Sequence, residues 1–530
     1  MRRVLVLPFL LVTITLAFVP TGAVAASGVG TAVDVAVPGS PSHGRGLGLT
    51  GALPLHPEAL ATAKQHADAR ALAHAGRLGP AATVAASGWS GTNDTSVTPP
   101  DTTGAIGPSS YIELINLRYA IYSRTGTTIT SGPLGDLTNI SQSCLSDPQM
   151  IWDADGQRFF YLALDTCTNT FAFGFSRSSA PTAAGSAQWC RYTAFQYGSL
   201  LPDYPKLGDS RDFLLIGDNV FQKHIFTYEY VRSDVAWINK SDLYVDGAGN
   251  CNVTGIRAGV FQGVTDAFGG SASTPIPANG VEYQDPAGYV VADPDASTQP
   301  NGTATHLTLF AVTANDSGAA VLSAPINVPV SGFKVPANAP QRKTTKKLDT
   351  MDGRLTQAVA AYDPSESRVA IWTQHTVFGG AGAEVRWYEI AGDTGAVLDS
   401  GKATSSSLYA FNGAISPDRA VPGATGAQFG GSMALTFNTS SGTTYSAIQY
   451  LAKPVGGIQS VFTKVVQSAG KDQDFSCSSG VCRWGDYAGA SPDPVAGATG
   501  GTVWMANQYN VASTTSNNVD WRTWIFNVVS

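Results

Sequence analysis

The 530-residue chain reads as an all-β protein, and within that class as a β-propeller. Three observations predict this. From Trp89 to Ser530 the apolar stretches are short and β-branched or aromatic, as in YIELINLRYAIY, RFFYLALD, DFLLIGDNVF, HLTLFAVT, RVAIWTQHTV, SMALTFNT and TVWMANQY. Clusters of Gly, Pro, Asn and Asp separate them, which is the pattern of strands and turns. One local grammar also recurs: an Asp, then small residues, a turn and a strand.

The elements follow in chain order. Met1-Arg2-Arg3, an apolar run to Val19 and Ala23-Val24-Ala25 fit a signal peptide over 1–25. Residues 26–88 read as a linker or pro-segment, rich in Gly, Ala, Ser and Pro. Within them, Pro57 to Arg77 is Ala-rich, with Pro at its start and Gly76 near its end, and predicts one short helix. Residues 89–530 form the propeller. Its repeats carry Asp101, Asp147, Asp203, Asp352, Asn412 and Asp486. One further unit is masked, with ANGVEYQDPAGYVVADPDA (278–296) before HLTLFAVT as its remnant. Repeats of this length, each holding several strands, read as propeller blades. Seven blades fit best, and six or eight stay open. The C-terminal DWRTWIFNVV is expected to close the ring with residues near Trp89.

Charge excludes some functions. The chain holds 32 Lys and Arg against 39 Asp and Glu, a formal charge of −7; loss of Arg2 and Arg3 with the signal makes it −9. With no basic run, nucleic acid is not an expected partner. No later segment is long and apolar enough for a membrane helix. Six Cys in an exported chain favour disulfides. Proximity pairs Cys144 with Cys167, Cys190 with Cys251, and Cys477 with Cys482. Only three His lie beyond residue 88, which argues against a His-rich zinc site. DADG (153–156) and DPDA (293–296) resemble pieces of calcium loops but lack the terminal Glu, so they read first as turns. No cofactor is expected for certain, and calcium held by carbonyls and the Asp residues stays open.

PPDTTGAIGPSSYIELIN, SDPQMIWDADGQRFFYLAL, DYPKLG, LDTMDGRLTQAVA, EVRWYEI and RWGDYAGASPDP together resemble secreted bacterial sialidase-like β-propeller proteins, over residues 89–530. The resemblance implies a propeller and an extracellular location more than an activity. The sialidase S-x-D-x-G-x-T-W turn is incomplete here, so no catalytic residue is carried over from that family.

The acidic repeat has two readings. Two of the carboxylates could act as acid and base on a glycosidic bond at the channel mouth. Alternatively each Asp accepts backbone N–H groups at a strand entry, since Asx residues readily bond local backbone. Departures from the repeat single out candidates. Asp352, Arg354 and Asp486 are the catalytic candidates. Arg354 stands two residues after Asp352, on the same face of a strand. Lys206 and Arg211 follow Asp203 and could hold an anionic sugar. Trp484, Tyr487, Tyr204, Trp372 and Trp387 could wall a sugar site, Trp484 and Tyr487 foremost because they flank Asp486, with Asp101, Asp147 and Asp203 as further binding candidates; core packing is the competing fate of such aromatics. The expected partner is an extracellular glycan or cell-surface polymer, bound by a monomer. The reaction is a glycoside hydrolase's or polysaccharide lyase's. A non-catalytic propeller binding glycan or protein is the alternative.

Overall fold

The computed structural model describes residues 52–73, 88–225, 227–281, 287–419, 430–495, 501–512 and 518–529. The expected signal peptide lies outside them. Six antiparallel ladders follow one another along the chain. The first runs Thr103–Ile106, Ser110–Ile115, Arg118–Ser123, Thr128–Pro133, and the second Leu145–Asp153, Arg158–Asp165, Thr170–Ser176, Trp189–Ala194. The third runs Leu200–Asp209, Phe213–Lys223, Tyr228–Asn239, Ala258–Phe261. The fourth runs Ser273–Pro277, Gly288–Asp293, Ala304–Ala314, Ala320–Leu322. The fifth begins at Leu355–Asp363 and ends at Val397–Ala403; the sixth begins at Tyr409–Pro417 and ends at Thr463–Gln467.

A last sheet is built from both ends of the chain. Gly489–Pro492, Thr502–Asn510 and Trp521–Val529 supply its first three strands, and Gly88–Ser90 its outermost one, with Trp89 opposite Ile525. The first strands of these sheets touch one another in chain order, and Gly489–Pro492 returns to touch Thr103–Ile106. The ring is therefore closed, and the fold is a β-propeller.

Small residues let the inner strands crowd. A Cβ on Gly208 would meet the backbone of Pro277 in the next sheet at 2.5 Å, and one on Gly489 the backbone N of Gly104 at 3.1 Å. Apolar faces meet between sheets. Phe160, Leu162 and Phe173 pack with Leu214, Ile216 and Ile238 across the second and third sheets.

The inner strands share one irregularity. Their pairing slips between Ser146 and Gln149, Asp203 and Lys206, Ser273 and Ile276, Leu355 and Gln357, and Phe411 and Ala414. At four of these five slips stands a residue with positive φ, Asp147 (50°), Tyr204 (57°), Thr274 (48°) and Asn412 (53°), and Asp101 (48°) has it at the entry to the first sheet. Asn and Asp tolerate this left-handed region better than other side chains. Much of the Asx recurrence thus has a backbone cause. The masked unit also resolves. Its inner strand is Ser273–Pro277, upstream of 278–296, and Thr274-Pro275 takes the place of Asp147-Pro148. Residues 278–296 instead supply the second strand.

The Cys pair as Cys144–Cys167, Cys190–Cys251 and Cys477–Cys482. Among the described residues no helix is long and apolar enough to cross a membrane. The predicted helix forms over Pro57–Ala73. It packs through Ala67 and Ala71 against Ala337 on an entry loop of the ring.

Candidate functional site at the channel mouth

Backbone geometry divides the acidic residues into two sets. Asp101 and Asp147 have positive φ, and their carboxylates serve the ring. Asp101 accepts from the backbone N–H of Asp486 at 2.8 Å and from Asn116 Nδ2 at 2.8 Å. Asp147 accepts from Ser146 Oγ at 2.8 Å and from the backbone N–H of Tyr204 on the next sheet. Asn412 plays the same part, bonded to Asn438 and Asn507. These groups stitch neighbouring sheets together, so the structural reading holds for them.

Asp203, Asp352 and Asp486 lack that backbone conformation. Asp203 stands one residue before the left-handed position, which Tyr204 takes, so it is not the counterpart of Asp147. Instead these three lie against the N-terminal segment. Leu53 N donates to Asp203 Oδ2 at 2.7 Å, and Ala52 N donates to Asp486 Oδ2. Arg354 Nη2 donates to Leu53 O at 2.8 Å. The Arg354 guanidinium also grips Asp352, with Nε–Oδ1 2.8 Å and Nη2–Oδ2 2.6 Å. Arg483 Nη2 reaches both oxygens of Asp486 at 2.5 and 2.6 Å.

Lys206 is the least satisfied group of the cluster. It is 2% exposed, and its Nζ has no hydrogen-bond partner among the described residues. The ammonium lies over the rings of Tyr487 and Tyr204, 3.3 and 3.9 Å from their centroids. Arg354 faces the Tyr204 ring at 4.9 Å, and its Nη1 is likewise buried without a partner. Cation–π contacts soften the isolation of these charges but replace no hydrogen bond.

The electrostatics follow from this crowding. Burial, reinforced by Asp147, pushes the Asp203 carboxyl up to about 8. Burial also raises Asp486, but Arg483 and the Ala52 N–H oppose it, and it settles at about 6. Burial lowers Lys206 to about 7 against the pull of Asp147, Asp101 and Asp486. At Asp352 burial pushes upward, yet the charge and hydrogen bonds of Arg354 win and hold it below the usual range. Neighbouring carboxyls with separated proton affinities are the arrangement needed for acid–base work.

Other sequence candidates fall elsewhere. Arg211 lies at the turn that ends strand Leu200–Asp209, away from Asp203, and pairs with Asp212 at 3.1 Å. The hairpin that places Lys206 inside turns Arg211 out. Trp484 is buried against Phe411 and the Cys477–Cys482 pair, with Nε1 donating to Asn438 at 2.8 Å, so it packs rather than walls a sugar site. Trp372 and Trp387 are core between the fifth and sixth sheets. Asp153 of DADG binds Lys240 at 2.9 Å, and Asp295 of DPDA binds His56 at 2.8 Å. Both calcium-like fragments therefore have protein partners. Sequence reasoning missed the contacts of Ala52 and Leu53. The tripeptide Tyr-Pro-Lys marked Lys206 but not its isolation.

No family model matches the chain, and no curated protein matches it. Among solved structures it overlaps the polysaccharide lyase Uly1 with a TM-score of 0.37 at 8% identity, covering 82% of this chain and 91% of that one. It overlaps the parainfluenza virus 5 hemagglutinin-neuraminidase ectodomain with a TM-score of 0.34 at 10% identity, covering 73% and 84%. The Bacillus subtilis arabinanase gives 0.27 at 10% identity, covering 58% and 99%. At these scores the fold rests on the chain's own ring of sheets.

Proposed function

We propose that this chain is an exported, monomeric, seven-bladed propeller that acts on extracellular carbohydrate at its channel mouth. One observation carries the reading: the mouth is bonded as a polyhydroxylated ligand would bond it. Asp203 and Asp486 each accept an N–H from residues 52–53, and Arg354 donates to a carbonyl of the same stretch. Sugar hydroxyls can donate to the same carboxylates, and a sugar oxygen can accept from the same guanidinium. Lys206 Nζ and Arg354 Nη1 keep spare donors, which suits a glycan bearing carboxylate or sulfate groups.

The separated carboxyls suggest hydrolysis. Asp203, protonated at neutral pH, gives its proton to the leaving glycosidic oxygen as the C1–O bond breaks. Asp486 takes a proton from the water that forms the new C1–O bond. Asp352 holds Arg354 in place, which moves the acid role from Asp352 to Asp203. A second reading, non-catalytic glycan binding, is favoured by the engagement of Asp101 and Asp147 with backbone donors. Asp203→Asn and Asp486→Asn separate the two. Turnover lost by at least about 100-fold with binding retained supports catalysis, on the usual scale of acid–base contributions. Binding alone, in wild type and variants, supports the second reading.

A further inference from the structure

Asp203, Lys206, Tyr204, Tyr487, Asp486 and Arg354 are each at most 5% exposed while residues 52–73 are in place. No polymer can reach them in that state. We infer that residues 52–73 are a built-in stopper that keeps the mouth site closed until the segment is displaced. This rests on the reading of the mouth as a glycan site and adds its regulation.

Three features support a displaceable contact rather than a fixed part of the ring. The hydrogen bonds to the site are main-chain only: two N–H groups and one carbonyl of Ala52 and Leu53. A ligand offering the same donors and acceptor can compete for each bond. The apolar anchor is made of a few small or half-buried side chains: the segment buries Ala52, Leu55, Ala67 and Ala71, and Leu53, Leu60 and Ala63 pack half-buried against the ring's core. The remaining anchors are His56 against the Tyr230 ring, Arg70 over the Phe378 ring, and polar contacts with a loop inside the fourth sheet and with the segment leading into the fifth. His56 meets Asp295 at 2.8 Å, Lys64 Nζ meets Asn338 at 2.9 Å and Thr350 at 3.0 Å, and Asp68 meets Lys347 at 2.6 Å. The Asp68–Lys347 pair is about a third exposed on both sides, so salt weakens it.

Topology allows the stopper to leave. The strand that closes the ring is Gly88–Ser90, C-terminal to the segment. A cut between residues 74 and 87 frees residues 52–73 and leaves every paired strand of the ring in place. A polymer that outcompetes the main-chain bonds would do the same without a cut.

The test uses the full exported chain with a site-specific protease sequence placed within residues 78–83. After cutting, gel filtration at 0.5 M salt shows whether the fragment leaves. Reductive methylation followed by peptide mass spectrometry reads the accessibility of Lys206. An uncut Ala67→Glu chain, which puts a charge where the helix is buried, serves as the second variant, with melting used to confirm that the ring stays folded. The expected result is fragment release from the cut chain and at least a tenfold rise in Lys206 methylation in both the cut chain and uncut Ala67→Glu. A fragment that stays bound with Lys206 still protected overturns the stopper. Methylation that rises while a panel of neutral and anionic glycans binds neither form supports the stopper and sinks the glycan reading. Glycans that bind cut and uncut chains equally, with Lys206 methylation unchanged, overturn the stopper and leave the glycan reading standing.

Discussion

Replacing Arg354 by Met tests whether the Asp352–Arg354 pair is a support of the mouth. Arg354 is 4% exposed and bonds Asp352 through two guanidinium nitrogens, at 2.8 and 2.6 Å. Its removal strands a carboxylate that the pair had held ionised, and breaking a buried pair costs about 3–5 kcal/mol. Asp352 keeps some solvent, at 13% side-chain exposure, and feels Lys64, so the lower end applies, about 3 kcal/mol. Unfolding entropy of ~2.1 cal/mol/K per residue over roughly 440 residues makes this a melting shift of only about 3 °C. Denaturant titration is therefore the better assay. Asp352→Asn with Arg354→Met removes both charges and is expected to recover most of the loss, giving a large coupling in the double-mutant cycle. A single variant that costs less than about 1 kcal/mol, or a double variant equal to the sum of the singles, would refute the reasoning.

Three further outcomes follow. Gly208→Ala forces a methyl into the Pro277 backbone and is expected to cost about 1–3 kcal/mol by overpacking, read by denaturant titration. Because the native Asp203 carboxyl is raised to about 8, its contribution to stability is full below the unfolded value of about 4 and is lost as pH climbs through 8. Asp203→Asn should flatten that part of the stability–pH curve between about pH 4 and 7, a window below the Lys206 transition. Removing the Cys190–Cys251 bridge, which spans 61 residues and ties the second sheet to the loop after Tyr228–Asn239, should cost about 2–4 kcal/mol in urea.

Much of the ring was legible in the sequence, because its constraint is local and repeats. A bulge with a left-handed residue favours Asx, so Asp101, Asp147 and Asn412 announce their strands. The fourth sheet hid because Thr274 fills that position, although Ser273-Thr274-Pro275 copies Ser146-Asp147-Pro148 in all but one residue. Asp203 looked like a member of the set because its neighbour Tyr204 had displaced it by one position. Local pattern cannot show which carboxylate turns toward the mouth. Trp484 failed as a sugar platform because its environment is set by Phe411, Asn438 and a disulfide, all of them distant or unpatterned in sequence. The helix over Pro57–Ala73 was readable from composition, but its docking was not. That depends on Ala337, Asn338, Thr350 and Lys347, and the seat of Ala52 and Leu53 just ahead of it depends on Asp203, Asp486 and Arg354, up to 434 residues away in the chain.

The most direct test of the central claim is incubation of the chain, intact and with residues 52–73 released, with neutral, uronate-containing and sialylated glycans, with products weighed by mass spectrometry. The account predicts cleavage of an anionic glycan with a gain of one water per cut, fastest in the released form and abolished by Asp203→Asn. Glycans left intact by both forms, with no binding to either, would contradict it.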